Sequence, residues 1–358
     1  MKVLLSGAFN PAFEALPEYL ATALRSLGHE VATFDHRASV VPGRLRARSA
    51  LLDRIERRRL NAALLARVRA FRPHQLLVNQ GMAIEPATIA AVRDLGTRPV
   101  NWFSDHPAEF EHGLFAAPAY DAFHVGSSWA AARHHERGHQ HAAWLPFACD
   151  PAMHHPPLPA ETRSPAGAAG RVVLVGSHYP ERQVLLRHLA GLPVDVWGPG
   201  WERAQDDPQV APMIRGGALR PAAWRRIYGG AAAVLNIHYG VFGPHAVSGD
   251  MANTRVFEIA ACGTLQIVDR RRDVLALFRD GVEIVTFASG EELRARVVEA
   301  LADTDRARSI AATARVLVLQ RHTYAHRARV LLGEAAFTNS APGDGTAVAP
   351  APALAGAA

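Results

Sequence analysis

The run DMANTRVFEIAACGTLQIVD, residues 250–269, decides how the rest of the chain is read. A helix opens near Asn253 and Thr254, stops at Gly263, and hands the chain to an apolar strand at 265–268. A polar, glycine-containing loop at 240–250 feeds the helix. Loop, helix, glycine and buried strand together are one half-turn of a βαβ unit, so the neighbouring segments should repeat the alternation.

They do in both directions. Downstream, the pattern predicts a helix at 274–278, a strand at 284–287, and helices at 291–302, 306–319 and 323–332. Upstream, it predicts strands at 172–175, 194–197 and 232–237, with helices at 181–189 and 221–228. The first 150 residues give strands at 3–6, 31–34, 75–79, 100–103, 122–125 and 142–145. Helices fall between them at 14–27, 45–71, 86–95 and 128–137. Strands separated by helices at this spacing imply parallel, doubly wound sheets. The 358 residues exceed the usual size of one core, which gives two domains. A Pro/Gly/Ala-rich stretch at 154–170 without periodicity marks the join. The expectation is an α/β fold of two Rossmann-like domains facing across a cleft. An N-terminal domain at 1–155, a linker at 156–170 and a C-terminal domain at 171–320 make up the body. A helix at 321–337 should pack back on the first domain, and a disordered tail at 338–358 follows.

Composition narrows the class. The chain is 49% hydrophobic and 20% charged, as expected of a globular enzyme and not of a disordered protein. No run approaches the ~20 apolar residues that span a bilayer. Val3-Leu4-Leu5 gives way at once to Ser6-Gly7, which reads as a first strand and not a signal peptide. Cys149 and Cys262 lie far apart in sequence without metal spacing, which points to a reducing, cytoplasmic setting and no zinc. The balance of 39 basic against 33 acidic residues gives +6. Lys2 is the sole lysine, so any anion clamp must be built from arginine.

The start of the 253–261 helix offers unpaired amides and a partial positive charge, which suit a diphosphate. Glu258 lies one turn in, within reach of hydroxyls on a ligand held there.

Here the sequence resembles the spore-maturation-protein-like (CgeB-type) glycosyltransferases, and more distantly the family-4 retaining enzymes of the GT-B fold. The resemblance rests on Arg255-Val-Phe-Glu258-x-x-Ala261-Cys262-Gly263 followed by an apolar strand. It continues in LFRDGVEIV at 277–285, HTYAHRA at 322–328 and VGSHYPER at 175–182. Looser likeness appears at Asp105, Pro107, Tyr120-Asp121 and Leu145-Pro146, so roughly residues 70–335 are covered.

The resemblance implies a glycosyltransferase that uses a nucleotide-sugar co-substrate, without a metal or other cofactor. In family-4 enzymes a pair of glutamates with seven residues between them holds the donor. Glu258 matches the second and would hold the ribose; Asp250 stands at the first, one methylene shorter, and would touch the sugar. Of that family's Arg-x4-Lys pair, Arg182 stands for the lysine, while Ser177 occupies the place of the arginine. Arg255 or His245 would then share the diphosphate's charge, with Gly176, Ser177, Asn253 and Thr254 around it. Asp105, after the strand at 100–103, would be the base if the reaction inverts configuration. The acceptor stays open: glycan, lipid, protein or small molecule.

Other signals read as structural. Asp303-Thr304-Asp305 has the spacing of a metal-binding DxD but lies between helices. His134, His135, His139 and His141 are expected to form a solvated face and not a metal site. The arginines at 44, 46, 48, 54 and 57–59 are expected in water, with Leu52, Ile55, Leu64, Val68 and Phe71 packed on the sheet. Docking of this helix on an anionic membrane is the second reading. A nucleotide-sugar epimerase and a non-catalytic surface or spore-coat assembly protein remain alternatives. No motif suggests nucleic-acid binding.

Overall fold

The computed structural model describes residues 1–10, 15–104, 110–158, 170–240 and 250–338. The chain divides into two compact units, one of residues 1–146 and 324–338, the other of 147–323.

The first unit is a six-stranded parallel sheet of β1 (Lys2–Gly7), β2 (Glu30–Asp35), β3 (Gln75–Asn79), β4 (Arg98–Phe103), β5 (Ala122–Val125) and β6 (Ala142–Trp144). Its order is β2-β1-β3-β4-β5-β6. β3 is buried along its whole length, as a parallel strand covered on both faces must be. The crossovers are α1 (Leu16–Ser26), α2 (Gly43–Arg46) with α3 (Ala50–Phe71), α4 (Pro86–Asp94), α5 (Phe110–Ala116) and α6 (Ser128–Glu136).

The second unit repeats the plan. It has β7 (Val172–Val175), α7 (Pro180–Arg187), β8 (Val194–Trp197), β9 (Ile214–Gly216), α8 (Pro221–Gly230) and β10 (Ala233–Asn236). Then come α9 (Thr254–Ala261), β11 (Gln266–Asp269), α10 (Arg272–Leu277), β12 (Val285–Phe287), α11 (Gly290–Ala302) and α12 (Thr304–Arg321). Its order, β12-β11-β10-β7-β8-β9, reverses direction between β7 and β10. That is the doubly wound dinucleotide-binding arrangement, in which the crevice at the reversal takes the ligand.

The last helix, α13 (Tyr324–Leu332), belongs to the first unit. Gln75 Nε2 donates to the Leu331 carbonyl at 3.0 Å, and the buried Arg327 donates to the Pro146 carbonyl at 2.7 Å. Tyr324 packs against Tyr19 and Trp102.

Three features differ from the sequence reading. The boundary falls after Pro146 and not near 155. Cys149 forms a bridge with Thr323 and its amide donates to the His322 carbonyl, which draws 147–158 into the second unit. The helix expected at 45–71 is two helices, because Ser49 caps the second by accepting from the Leu52 amide. The stripe on that helix is also rotated. Leu64 and Val68 are buried as expected, but Ile55 is 50% exposed while Glu56 and Asn61 are buried in its stead. Glu56 takes the amides of Val40 and Val41 and the guanidinium of Arg59. Asn61 bridges α3 to the Ala83 carbonyl and the Glu85 amide. Satisfied polar groups therefore face inward at this end.

The expected solvated histidine face holds in part: His134 is buried against Phe110 and Phe123, and all four clustered rings have hydrogen-bond partners. His135 Nε2 donates to the Ala142 carbonyl, His141 Nε2 to the Ala117 carbonyl, and the rings of His134 and His139 share a bond of 3.2 Å.

Burial lowers His36, His124 and His134 from 6.5 to about 4. The native state thus binds fewer protons than the unfolded chain once the pH drops below 6.5. Stability should be full above that pH and decline as it falls toward about 4, before carboxylate protonation dominates. Melting temperature against pH measures this; a flat profile between about pH 7 and 5 would show that these rings are not held neutral.

Candidate functional site

The reversal point of the second sheet is built from glycine outward. β7 ends at Gly176, whose amide donates to the Trp197 carbonyl at 2.8 Å and whose carbonyl accepts from Trp201 Nε1 at 2.8 Å. Gly198, with φ +147°, lets this carbonyl approach; a methyl carbon there would stand 2.0 Å from it. The turns after β7 and β8 are thereby locked together.

Arg182, on α7, is 4% exposed and lies against this turn. Its Nε and Nη2 donate to the Ile237 carbonyl at 2.9 and 2.5 Å, and Nη1 to the Ser177 carbonyl at 2.7 Å. The guanidinium sits 4.8 Å over the Tyr179 ring, which meets Tyr239 edge-on. Arg255 comes from the first turn of α9. A methyl carbon at Gly176 would be 2.8 Å from Arg182 Nη1 and 3.5 Å from Arg255 Nη2, so two guanidinium groups converge on a bare backbone. Burial, then the neighbouring Arg255, lower Arg182 to about 10, and it stays charged at neutral pH. Two cations held this close repel each other, and an anion between or beside them relieves the repulsion.

A buried polar network fixes α9 to the strand ends. Asp269, at the end of β11, accepts from the His238 amide and from His238 Nδ1, both at 2.8 Å, and pairs with Arg271. Burial alone would raise this carboxyl, but Arg271 and His238 hold it well below the usual range. Burial keeps His238 neutral against the pull of Asp269. With its proton on Nδ1, its Nε2 accepts from the Asn253 amide at 3.1 Å. The Asn253 side chain pairs reciprocally with Asn236 and caps α9 by accepting from the Val256 amide. Asn236 donates to Gln266, and Gln266 to the Val256 carbonyl. With Val256 capped, the first-turn amides of Thr254 and Arg255 have no partner within the helix.

Glu258 lies one turn along α9, 21% exposed, with Oε1 3.8 Å from His154 Nε2. His154 is buried, stacks on Trp224 at 5.6 Å, and accepts from the Asp150 amide through Nδ1. Burial lowers its pKa although Glu258 and Asp150 oppose the shift.

Gly176, Ser177, Arg182, Thr254, Arg255 and Glu258 are therefore gathered by β7, α7 and α9. Asn253 is there too, but its amide and side chain are engaged within the protein. Asp250 stands at the start of α10, its carboxylate 3.7 Å from Arg272 and its carbonyl accepting from the Asp273 amide. Asp105 and His245 lie outside the described residues. Asp303 caps α12 and Asp305 pairs with Arg308, so both ends of the DxD spacing are structural. Among the described residues no cluster of His, Cys, Asp and Glu is arranged to hold a metal.

Sequence reasoning missed Asn236, His238, Tyr179, Tyr239, His154 and Trp224. The available signal was a polar pair, Asn236 and His238, closing an otherwise apolar strand, since polar side chains at a carboxyl edge face the ligand crevice.

A hollow of about 440 Å³ lies in the first unit, lined among others by Ala8, His36, Gln80 and Gly81 at the carboxyl ends of β1, β2 and β3. This is where that sheet also reverses, between β1 and β3.

Comparison with known proteins agrees with this layout. Residues 168–333 match a family model described as glycosyl transferase-like. No curated protein matches the chain. A sucrose-phosphate synthase from Thermosynechococcus elongatus is similar over 93% of this chain and 97% of its own, with 14% identity and a TM-score of 0.67. HepE from Anabaena, solved with UDP-glucose, is similar over 93% and 99%, with 12% identity and a TM-score of 0.63. A candidate UDP-N-acetylglucosamine 2-epimerase from Listeria monocytogenes is similar over 93% and 95%, with 14% identity and a TM-score of 0.56. At these identities the likeness establishes the fold, two parallel-sheet Rossmann-like domains of the kind found in GT-B glycosyltransferases.

Because the turn depends on Gly198, Gly198→Ala should cost about 2–4 kcal/mol through backbone strain and the clash with the Gly176 carbonyl. Urea unfolding measures the loss; a variant as stable as the parent would show that the two turns are not locked.

Proposed function

We propose that the protein is a glycosyltransferase that moves a sugar from a nucleotide-sugar donor to an acceptor without a metal ion. One observation carries the reading. Arg182 and Arg255 converge on Gly176 at the sheet reversal, beside the Thr254 and Arg255 amides, which have no partner within α9. The matching family model and the UDP-glucose complex of HepE support it.

The chemistry follows from charge. Breaking a glycosyl–phosphate bond leaves negative charge on the departing diphosphate. Arg255 and the amides of Thr254 and Arg255 are the groups that would receive it, oriented before the reaction and so without reorganisation cost. Arg182 spends three of its N–H bonds on carbonyls, so it acts mainly through its buried charge. These cations take the part a divalent metal plays elsewhere, and turnover should survive EDTA. Glu258 would accept from the ribose hydroxyls. Asp250 would address the sugar, and for an inverting reaction Asp105 would take the acceptor's proton. The hollow at the ends of β1–β3 is the proposed acceptor site.

Glu258→Gln keeps the shape and removes the charge of a charge-assisted contact, worth about 1.5–3 kcal/mol. Nucleoside-diphosphate binding should weaken roughly 10- to 100-fold with the melting temperature unchanged. Calorimetric titration beside a melting curve reads both. Parent-like binding, or a large fall in melting temperature, would make Glu258 a structural residue. Turnover of the donor with no acceptor present would instead indicate an epimerase.

A further inference from the structure

We propose that the α2–α3 face of the first unit is a docking surface for an anionic lipid bilayer, independently of the nucleotide site. On α3, Leu51, Arg54, Ile55 and Arg58 follow the i, i+3, i+4, i+7 spacing of a single helix face, the one turned from the core. Leu51 is 67% exposed and Ile55 50%. Val40, at 74%, and Leu45, at 46%, add two more apolar side chains at the same end of the helix. The Glu56 carboxylate holds the Val40 and Val41 amides, and Arg59 donates to the Ala38 carbonyl, so the Val40 loop is fixed to α3. Arg46 and Arg57 both reach Asp53, which ties α2 to α3.

Charge identifies the partner. Arg44, Arg48, Arg54 and Arg58 are exposed, and none pairs with a carboxylate among the described residues. The nearby carboxylates, Asp53 and Glu56, are already bonded to Arg57 and Arg59. Exposed apolar side chains interleaved along α3 with arginines that pair with no described carboxylate suit a surface that is greasy beneath and negative above. A second copy of the same basic face would repel it.

The test is sedimentation of the full chain with phosphatidylcholine vesicles, with and without about one-third phosphatidylglycerol. Binding is expected only to the anionic vesicles and should fade in high salt. Arg54→Ala with Arg58→Ala should weaken partition about 30-fold, from ~1 kcal/mol per arginine. Leu51→Glu with Ile55→Glu should abolish it, and melting curves of both pairs should match the parent because the residues are exposed. Should the glutamate pair fail to fold, the alanine pair decides alone. Three results overturn the proposal. These are a parent that sediments with neither vesicle, an alanine pair that binds like the parent, and a dimer in light scattering that these variants dissociate, without lipid binding.

Discussion

The second unit depends on a single buried contact, the one between Asp269 and His238. A carboxylate that has lost its water must be repaid by hydrogen bonds and opposite charge, and Arg271 and two donors of His238 do so. The pairing fixes the tautomer of the ring, which makes Nε2 an acceptor for the Asn253 amide. Asn253 in turn caps α9 and pairs with Asn236. The position of a helix N-terminus is thus set by the ends of β10 and β11 and not by the helix itself, whose eight residues could not persist alone.

The reason to fix that terminus so firmly is electrostatic. Arg255, in its first turn, is brought against Arg182, which is already buried and bonded to the Ile237 and Ser177 carbonyls. Holding two like charges together costs energy that the surrounding fold supplies, through Gly176, whose missing side chain makes room, and Gly198, which closes the turn behind it. Strain and repulsion concentrated at a sheet reversal are the expected mark of a site prepared for an anion.

Much of this was legible in the sequence because parallel strands buried on both faces are continuous apolar runs, as at residues 3–5, 76–78 and 172–175. The strand that follows the 254–261 helix could be read for the same reason, whereas Arg182, Arg255 and Glu258 were singled out by the family resemblance and not by periodicity. What escaped detection was short or inverted. β9 has three residues and ends in Gly216; α5 follows residues rich in turn formers. On α3 the period alone favoured Ile55 as a core residue, but Glu56 and Asn61 win the inward positions by satisfying backbone groups of other segments. The Asp269–His238 network was hidden for a related reason, since its members are 31 residues apart and meet only when β10 and β11 pair.

The most direct measurement is a crystal structure of the protein grown with a nucleoside diphosphate. The account predicts diphosphate oxygens within hydrogen-bonding distance of the Thr254 and Arg255 amides and the Arg255 guanidinium, with the ribose toward Glu258 and Arg182 unmoved. A nucleotide seated elsewhere, with Arg182 and Arg255 still facing only Gly176, would contradict it.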